Sequence, residues 1–137
     1  VQTCALPIFA SASIEQYLDE GLVSARTLTD YLFDRMEAHD LRRADVVRAS
    51  GLNATVVYDI FSGKSRPGRD HAIMLAFGLK CTLRETQRLL RLAGVSELWC
   101  KQRRDAIIIW CIRNGFDRIA TDDELYRMGE ATLLPAD

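Results

Sequence analysis

Cationic side chains bracket a short run of residues that has hydrogen-bonding groups but no positive charge. Residues 53–61 carry an amide, a hydroxyl, a phenol and a carboxylate, with no Arg, Lys or Gln among them. Guanidinium and ammonium groups bind oxyanions, and neutral polar groups add directional hydrogen bonds. This pattern indicates a chemistry of binding rather than of bond making. The bracketing cations are Arg42, Arg43, Lys64, Arg66 and Arg69.

Residues that could catalyse a reaction or hold a metal are scattered. His39 and His71 lie far apart in the chain, and neither belongs to a catalytic motif. Cys81, Cys100 and Cys111 form no CxxC pair, so a zinc site is not expected. The sequence also has no glycine-rich phosphate loop, no nucleophile elbow and no paired-carboxylate motif. We therefore expect no enzyme activity, no metal and no cofactor, with free thiols in a reducing cytoplasm.

The composition is that of an ordinary globular protein with an uneven distribution of charge. The chain has 137 residues, 48% hydrophobic and 27% charged, which fits one domain with a small appendage. No apolar run approaches the ~18 residues of a membrane span, so no membrane partner is expected. The net charge of −1 divides into +7 for residues 40–104, with 13 Lys and Arg against 6 Asp and Glu, and −8 for the rest. A basic centre of this kind is compatible with a nucleic-acid partner.

Apolar residues recur at helical spacing through most of the chain. Three segments match the capping box, in which a hydroxyl and a later acid or amide satisfy free backbone N–H groups. They are Ser13–Gln16, Thr82–Glu85 and Thr121–Glu124. The intervening loops are short, which predicts direct packing of neighbouring helices. Helices are predicted at 13–20, 27–38, 43–50, 53–61, 69–79, 82–93, 101–114 and 122–131.

One apolar run leaves two secondary structures open. Residues 107–110, followed by Asn114-Gly115, fit the arm and tight turn of a β-hairpin. A helix over 101–114 that ends at the glycine fits as well, and we favour it because a lone hairpin would have no sheet to join. This helix is apolar on nearly every face from 106 to 112. We therefore expect it to be buried, in the protein's own core or against a partner.

The segment from Arg42 to Lys64 combines two short helical patterns with almost nothing between them. Gly51 stands where the chain must turn sharply, and glycine tolerates the backbone conformation that such a turn demands. Asn53 is a good N-cap for the second helix. This layout is that of a helix-turn-helix. The apolar side chains for a shared interior come from Val46, Val47, Leu52, Val57 and Ile60.

The same segment resembles the Cro/C1-repressor type of helix-turn-helix, the Xre family. The resemblance covers residues 27–80, or a five-helix domain if 82–93 are included. It depends on the register of the apolar positions around Gly51 and on Gly63-Lys64 and Pro67, which match the family's Gly-Lys-x-x-Pro exit. It implies an all-α, lambda-repressor-like domain in a bacterial or phage protein. Two positions depart from the family pattern: Val47, where a small Ala is usual, and Arg43, where Gln is frequent.

What the resemblance implies is binding to double-stranded DNA, with helix 53–61 in the major groove. Val57 and Ile60 point inward in helical projection, which leaves the other residues for bases. The expected base readers are Asn53, Ala54, Thr55, Tyr58 and Asp59. The expected phosphate contacts are Arg42, Arg43, Lys64, Arg66 and Arg69, which give affinity without sequence information. A sequence-specific transcriptional regulator, most simply a repressor, is the function expected.

After residues 1–8 the chain divides, on this interpretation, into three segments. Residues 9–25 carry a short helix, 26–94 form the helix-turn-helix domain and 95–137 form a C-terminal helical extension. A helical hairpin at 97–133 either caps the DNA-binding domain in a monomer or forms the interface of a homodimer. The cations of the second half of the chain, Arg88, Arg91, Lys101, Arg103 and Arg104, either extend a phosphate-binding face or pair with acids at Asp122, Asp123 and Glu124.

Two further expectations concern function and the start of the chain. The alternative to a DNA regulator is a protein-interaction module, antitoxin-like or a phage-encoded adaptor, because a fold does not fix a function. Residues 1–8, VQTCALPI, resemble a translation of the ligation adapter of short-read sequencing libraries, GTT CAG ACG TGT GCT CTT CCG ATC. We expect this segment to be such an artefact and set it aside from fold reasoning.

Overall fold

Seven α-helices form the regular structure in a computed structural model that describes residues 13–14 and 27–135. No β-strand occurs within these residues, so the all-α prediction is confirmed for them. The hairpin alternative for residues 107–110 is wrong, because they lie inside a helix. The helices are α1 (Leu28–Ala38), α2 (Arg43–Ser50), α3 (Ala54–Phe61), α4 (Arg69–Gly78), α5 (Leu83–Leu92), α6 (Arg103–Arg113) and α7 (Arg118–Arg127).

Two helices begin at the side-chain caps that the sequence predicts. The Asn53 Oδ1 accepts the Thr55 N–H at 2.8 Å. The Thr82 hydroxyl accepts the Glu85 N–H at 3.3 Å, and the Glu85 carboxylate accepts the Thr82 N–H at 2.9 Å. The second pair is a complete capping box, as predicted.

The last helix begins four residues before its predicted start at 122, and ends at Arg127. Asp117 is its N-cap, with a carboxylate oxygen 2.8 Å from the Ala120 nitrogen. Thr121, the predicted cap, lies inside the helix and donates its hydroxyl to the Asp117 carbonyl at 2.8 Å. The predicted box at Thr121 is therefore wrong, since an earlier capping residue satisfies the free N–H groups first.

The core is built around α4. Residues 72–76 and Gly78 of this helix are buried, and the helix contacts α2, α5 and α7. The helix α1 packs against α3 and α5. Because almost every residue from 72 to 78 is buried, α4 is apolar on most faces, whereas the outer helices are amphipathic.

The helix α6 is buried on one side only. Ile108 and Cys111 are fully buried, but Trp110 is 53% exposed and packs edge-on against Phe116 at 5.2 Å. The expected burial is therefore met only in part by the protein's own core, and burial of the outer face against a partner stays a prediction. In the described chain α6 packs mainly against α7 and α5, and its ion pairs with α4 lie at its first turn.

Polar contacts connect α6 to α4, and connect the tail that follows α7 to both α6 and α7. Arg104 of α6 donates to both carboxylate oxygens of Asp70 in α4, at 3.0 and 3.2 Å, and to the Ala131 carbonyl at 2.9 Å. Asp122 of α7 accepts the Leu133 N–H at 2.7 Å. These contacts join α6 to α4 and the tail to α6 and α7; the cap in a monomer and the homodimer interface both stay predictions.

Some predictions fall outside the described residues. Residues 1–8 and nearly all of the helix predicted at 13–20 are among them, and so is the second half of the Ser13–Gln16 box. Within the residues the structure describes, no helix combines the length and the apolar character needed to cross a membrane.

Candidate nucleic-acid interface

The helices α2 and α3 form a short pair joined by residues 51–53. Gly51 ends α2 with φ of 79°, in the left-handed region, and Leu52 is buried directly after it. Val46, Val57 and Ile60 are buried between the two helices and the core, as predicted. Apolar contacts on the inner side therefore hold α2 and α3 together. The outer side of α3 is left outside the core.

The helices α2 and α4 approach each other closely at Gly78. A Cβ built on Gly78 would lie 2.9 Å from the Val46 carbonyl oxygen and 2.9 Å from the Ser50 Cβ. Ser50 is buried, and its hydroxyl accepts the Leu52 N–H at 3.2 Å. Val47 is half-buried against the core, so the larger side chain at this position is accommodated at the edge of the contact.

The outer side of α3 is exposed and carries four of the five predicted base readers. Asn53, Ala54 and Thr55 are exposed at its N-terminal end, and Tyr58 follows one turn later with 44% of its surface exposed. Asp59 differs, because it is half-buried on the flank of the helix. The face that α3 offers is thus uncharged, with an amide, a hydroxyl, a methyl and a phenol.

Arg43 lies beside this face. Its guanidinium carbon is 5.1 Å from the centre of the Tyr58 ring, a cation–π contact between the first residue of α2 and the middle of α3. Contacts of this kind contribute about 0.5–1 kcal/mol at exposed sites. Arg43 is exposed, and stacking leaves the edges of the guanidinium free to donate hydrogen bonds. The contact therefore fixes a positive charge next to the phenol.

Asp45 organises the start of α2. Its carboxylate accepts the Arg42 N–H at 3.0 Å and a guanidinium hydrogen of Arg48 at 2.7 Å. The hydrogen bond from the Arg42 backbone, followed by the charges of the two arginines, holds the pKa of Asp45 below its usual range. The Arg42 side chain stays exposed, with its Nε 3.8 Å from Asp45.

The cations after α3 divide into two groups. Lys64 and Arg66 are exposed in the loop between α3 and α4, and the Arg66 guanidinium lies over Gly94, 3.7 Å from where a Cβ would stand. Arg69 instead donates to both oxygens of Asp105, at 3.0 and 2.7 Å, and to the carbonyls of Ser96 and Glu97, each at 3.0 Å.

The assignment of Arg69 to phosphate binding therefore needs correction. Four of its N–H groups already have acceptors within the chain, and Asp105 is only 1% exposed. Removing the guanidinium from Asp105 to reach a phosphate would leave a buried carboxylate unpaired, which is costly. Arg69 joins α4 to α6, whereas the other four cations are exposed.

Two further cations of the second half of the chain also have partners within it. Arg103 pairs with Glu130 at 2.8 Å, and Arg91 lies 3.7 Å from Glu97. The acids of α7 pair within their own helix, Asp122 with Arg118 at 2.6 Å and Glu124 with Arg127 at 2.7 Å. The sequence leaves open a pairing with the acids at 122–124; Arg103 and Arg104 pair with Glu130 and Asp70 instead.

One residue that sequence reasoning missed lies at the turn itself. The Arg118 guanidinium of α7 covers Gly51, with its Nε 2.6 Å from the position a Cβ would take. Arg118 is held by Asp122, and its buried Nε has no hydrogen-bond partner in the part of the chain that the structure describes. The spacing of Arg118 and Asp122 predicts an i,i+4 pair, but nothing in the sequence points to Gly51.

Two findings complete the description of this site. Among the described residues, no group of three His, Cys, Asp or Glu side chains is arranged to hold a metal ion. No protein-family model, no curated protein and no solved structure matches the chain.

Proposed function

We propose that the protein is a sequence-specific DNA-binding regulator, acting as a repressor through a helix-turn-helix formed by α2 and α3. The observation that carries the proposal is the outer side of α3, where uncharged hydrogen-bonding groups are exposed between exposed cations of α2 and of the following loop. Such a face matches a major groove between two phosphate backbones. The five-helix, lambda-repressor-like arrangement of α1–α5 and the location in the cytoplasm belong to the same proposal.

Each exposed group has a distinct role in this mechanism. The Oδ1 of Asn53 caps α3, so its NH2 group remains to donate to a base acceptor. Thr55 offers a hydroxyl and a methyl, and Ala54 offers a methyl for a thymine. Tyr58, held by Arg43, reaches a phosphate or sugar. Asp59 contributes least, since it is half-buried at the flank of the helix.

The phosphate contacts come from four residues in this proposal. Neutralising a phosphate releases counterions, so each contact steepens the salt dependence of binding. These contacts fix the protein on the duplex and do not choose the sequence. The four residues are Arg42, Arg43, Lys64 and Arg66.

The test is selection from a random duplex DNA library with the full chain at two salt concentrations. We expect an enriched motif. We also expect Arg43→Ala and Lys64→Ala to weaken binding of all sequences alike and to reduce the salt slope by about one ion each. Thr55→Val should change the preferred base, because it removes the hydroxyl and keeps the shape.

The control is Arg84→Ala. Arg84 is an exposed cation near the start of α5, whereas Arg66 lies beside Gly94 after the end of that helix. Arg84→Ala should leave the affinity for DNA and the salt dependence of binding unchanged. Salt-dependent binding without any motif would contradict sequence-specific recognition. No binding at either salt concentration would contradict the DNA-binding role.

A protein-interaction role is the second candidate, and exposed aromatic residues of the extension favour it. Trp110 is 53% exposed and lines an open groove of about 380 Å³ between α6 and α7, and Tyr126 of α7 is 76% exposed. Exposed aromatic residues beside an apolar groove are frequent at protein interfaces. Sedimentation of Trp110→Ser against wild type tests the predicted homodimer; a mass that is monomeric in both contradicts it.

A further inference from the structure

A cleft separates the helix pair from the loop that joins α6 to α7. Its volume is about 400 Å³, within the range of small-molecule sites. Ala49 of α2 and Phe77 of α4 line one side, and Ile112 and Phe116 line the other. The cleft is therefore walled by apolar side chains that come from both halves of the molecule.

A single cation stands at the mouth of this cleft among the residues that line it. Lys80 is exposed, and no described carboxylate lies within 4.0 Å of its ammonium group. Its backbone has φ of 56°, a left-handed conformation that is unfavourable for a residue with a Cβ. Asp117 is also at the mouth, but its carboxylate already caps α7.

The Cys81 thiol also lines the cleft and does not add reactivity to it. Burial, and then the charge of Glu85, raises the pKa of Cys81 to about 12. The thiol is therefore neutral at pH 7 and contributes an apolar surface rather than a nucleophile. An occupant of this cleft would be held without a covalent bond.

The cleft touches both sides of the turn in the helix pair. Ala49 lies two residues before Gly51, and Phe116 lies two residues before Arg118, whose guanidinium covers that glycine. An occupant that separates these walls must change the contact between Arg118 and the turn. The position of α3 depends on that turn.

We propose that this cleft binds a small amphipathic anion, an aromatic ring system bearing a carboxylate, and that its occupancy changes the affinity for DNA. The ring system packs between the phenylalanines, and the carboxylate pairs with Lys80. The regulatory half of the proposal rests on the proposed function. The binding half does not, because it concerns the cleft alone.

The first experiment titrates the full chain, without DNA, with 6-fluoro-2-naphthoate and follows the fluorine resonance by NMR. Wild type should give a saturable shift. Ala49→Leu fills the cleft from an exposed helical position and should weaken binding about tenfold. Lys80→Asn removes the charge with a residue that tolerates the same backbone, and should weaken binding about fivefold.

The control for charge is Lys101→Asn, an exposed cation before α6 that does not line the cleft. It should bind the probe as wild type does. Circular dichroism of each variant shows that it is folded. No saturable shift in wild type, or equal affinity in all four proteins, overturns the binding half.

The second experiment measures affinity for the selected duplex with and without saturating probe. We expect at least a threefold change in wild type and none in Ala49→Leu. A bound probe without any change in DNA affinity overturns the regulatory half. If wild type binds no DNA even without probe, the proposed function fails and the regulatory half with it, whereas the NMR titration still decides the binding half.

Discussion

At the scale of single residues, two arginines with the same chemistry have opposite roles. Arg43 is exposed and stacks on Tyr58, so its charge faces outward. Arg69 is bound to Asp105 and to two carbonyls, so its charge faces the molecule's interior. The sequence places both beside the α2–α3 segment and cannot separate them, because the partner of Arg69 lies 36 residues further along the chain.

Glu85 shows how a single carboxylate links stability to pH. Burial alone would raise its pKa, but the Thr82 N–H, Arg35 and His39 outweigh burial and lower it. A carboxylate with a lowered pKa in the folded state stabilises the protein above its unfolded pKa, near 4.5, and loses that contribution as pH falls through the folded value.

The prediction for this residue concerns Glu85→Gln. It should lower the free energy of unfolding by about 1 kcal/mol at pH 7, because it removes the charge and keeps the acceptor of the cap. The difference from wild type should shrink below pH 4.5 as the wild-type carboxylate is protonated. Urea denaturation between pH 3 and 7 measures it. A difference that stays constant over that range would contradict the linkage.

At the scale of elements, local signals predicted most of the helices well. Asn53 and Thr82 begin helices as expected, since capping depends only on neighbouring backbone groups. The contact between α2 and α4 could not be predicted, because Gly78 is one glycine among eight and the backbone it meets is distant in sequence. The start of α7 was predicted wrongly because Asp117 and Thr121, four positions apart, are both good capping residues, and the earlier one caps the helix.

The close approach of α2 and α4 predicts the effect of Gly78→Ala. The added Cβ would stand 2.9 Å from the Val46 carbonyl oxygen, so the two helices must move apart. We expect a loss of about 2 kcal/mol in the free energy of unfolding, typical of overpacking. Urea denaturation followed by circular dichroism measures it.

The matched control is Gly68→Ala. Gly68 has nothing within 4 Å of its Cβ position and an ordinary φ of −70°. As an N-cap position it should lose less than about 1 kcal/mol. Equal losses in the two variants would show that space between α2 and α4 is not limiting.

At the scale of the whole molecule, α6 and α7 are joined to the earlier helices by contacts at three separate places. Arg69 meets Asp105, Arg104 meets Asp70, and Arg118 covers Gly51. The sequence predicts that a C-terminal extension exists and that it is helical. It does not predict these joints, because each pairs residues more than 30 positions apart. We expect α1–α7 to unfold in one cooperative transition.

The prediction at this scale concerns Asp105→Asn. Asp105 is 1% exposed and also accepts the Trp99 N–H at 3.0 Å, so the substitution leaves Arg69 unpaired at a buried joint. Because Arg69 is 25% exposed, water offsets part of the cost, and we expect a loss of about 2–3 kcal/mol.

The control is Arg127→Gln, which breaks the exposed pair with Glu124 on α7. Pairs of this kind contribute less than about 1 kcal/mol. Thermal unfolding of both variants compares the two interactions. If Asp105→Asn lowers stability no more than Arg127→Gln does, the contact between Arg69 and Asp105 does not hold α6 against α4.

The placement of the two tryptophans determines what optical spectroscopy reports for this protein. Trp99 and Trp110 are the only tryptophans, and they are 64% and 53% exposed on the extension. Because both side chains are exposed, we expect native-state emission close to that of solvated indoles and little change on unfolding. α1–α5 contain no indole, and a DNA titration followed by intrinsic fluorescence therefore reports only what reaches the extension. A Tyr58→Trp variant would place an emitter at the proposed groove-facing surface.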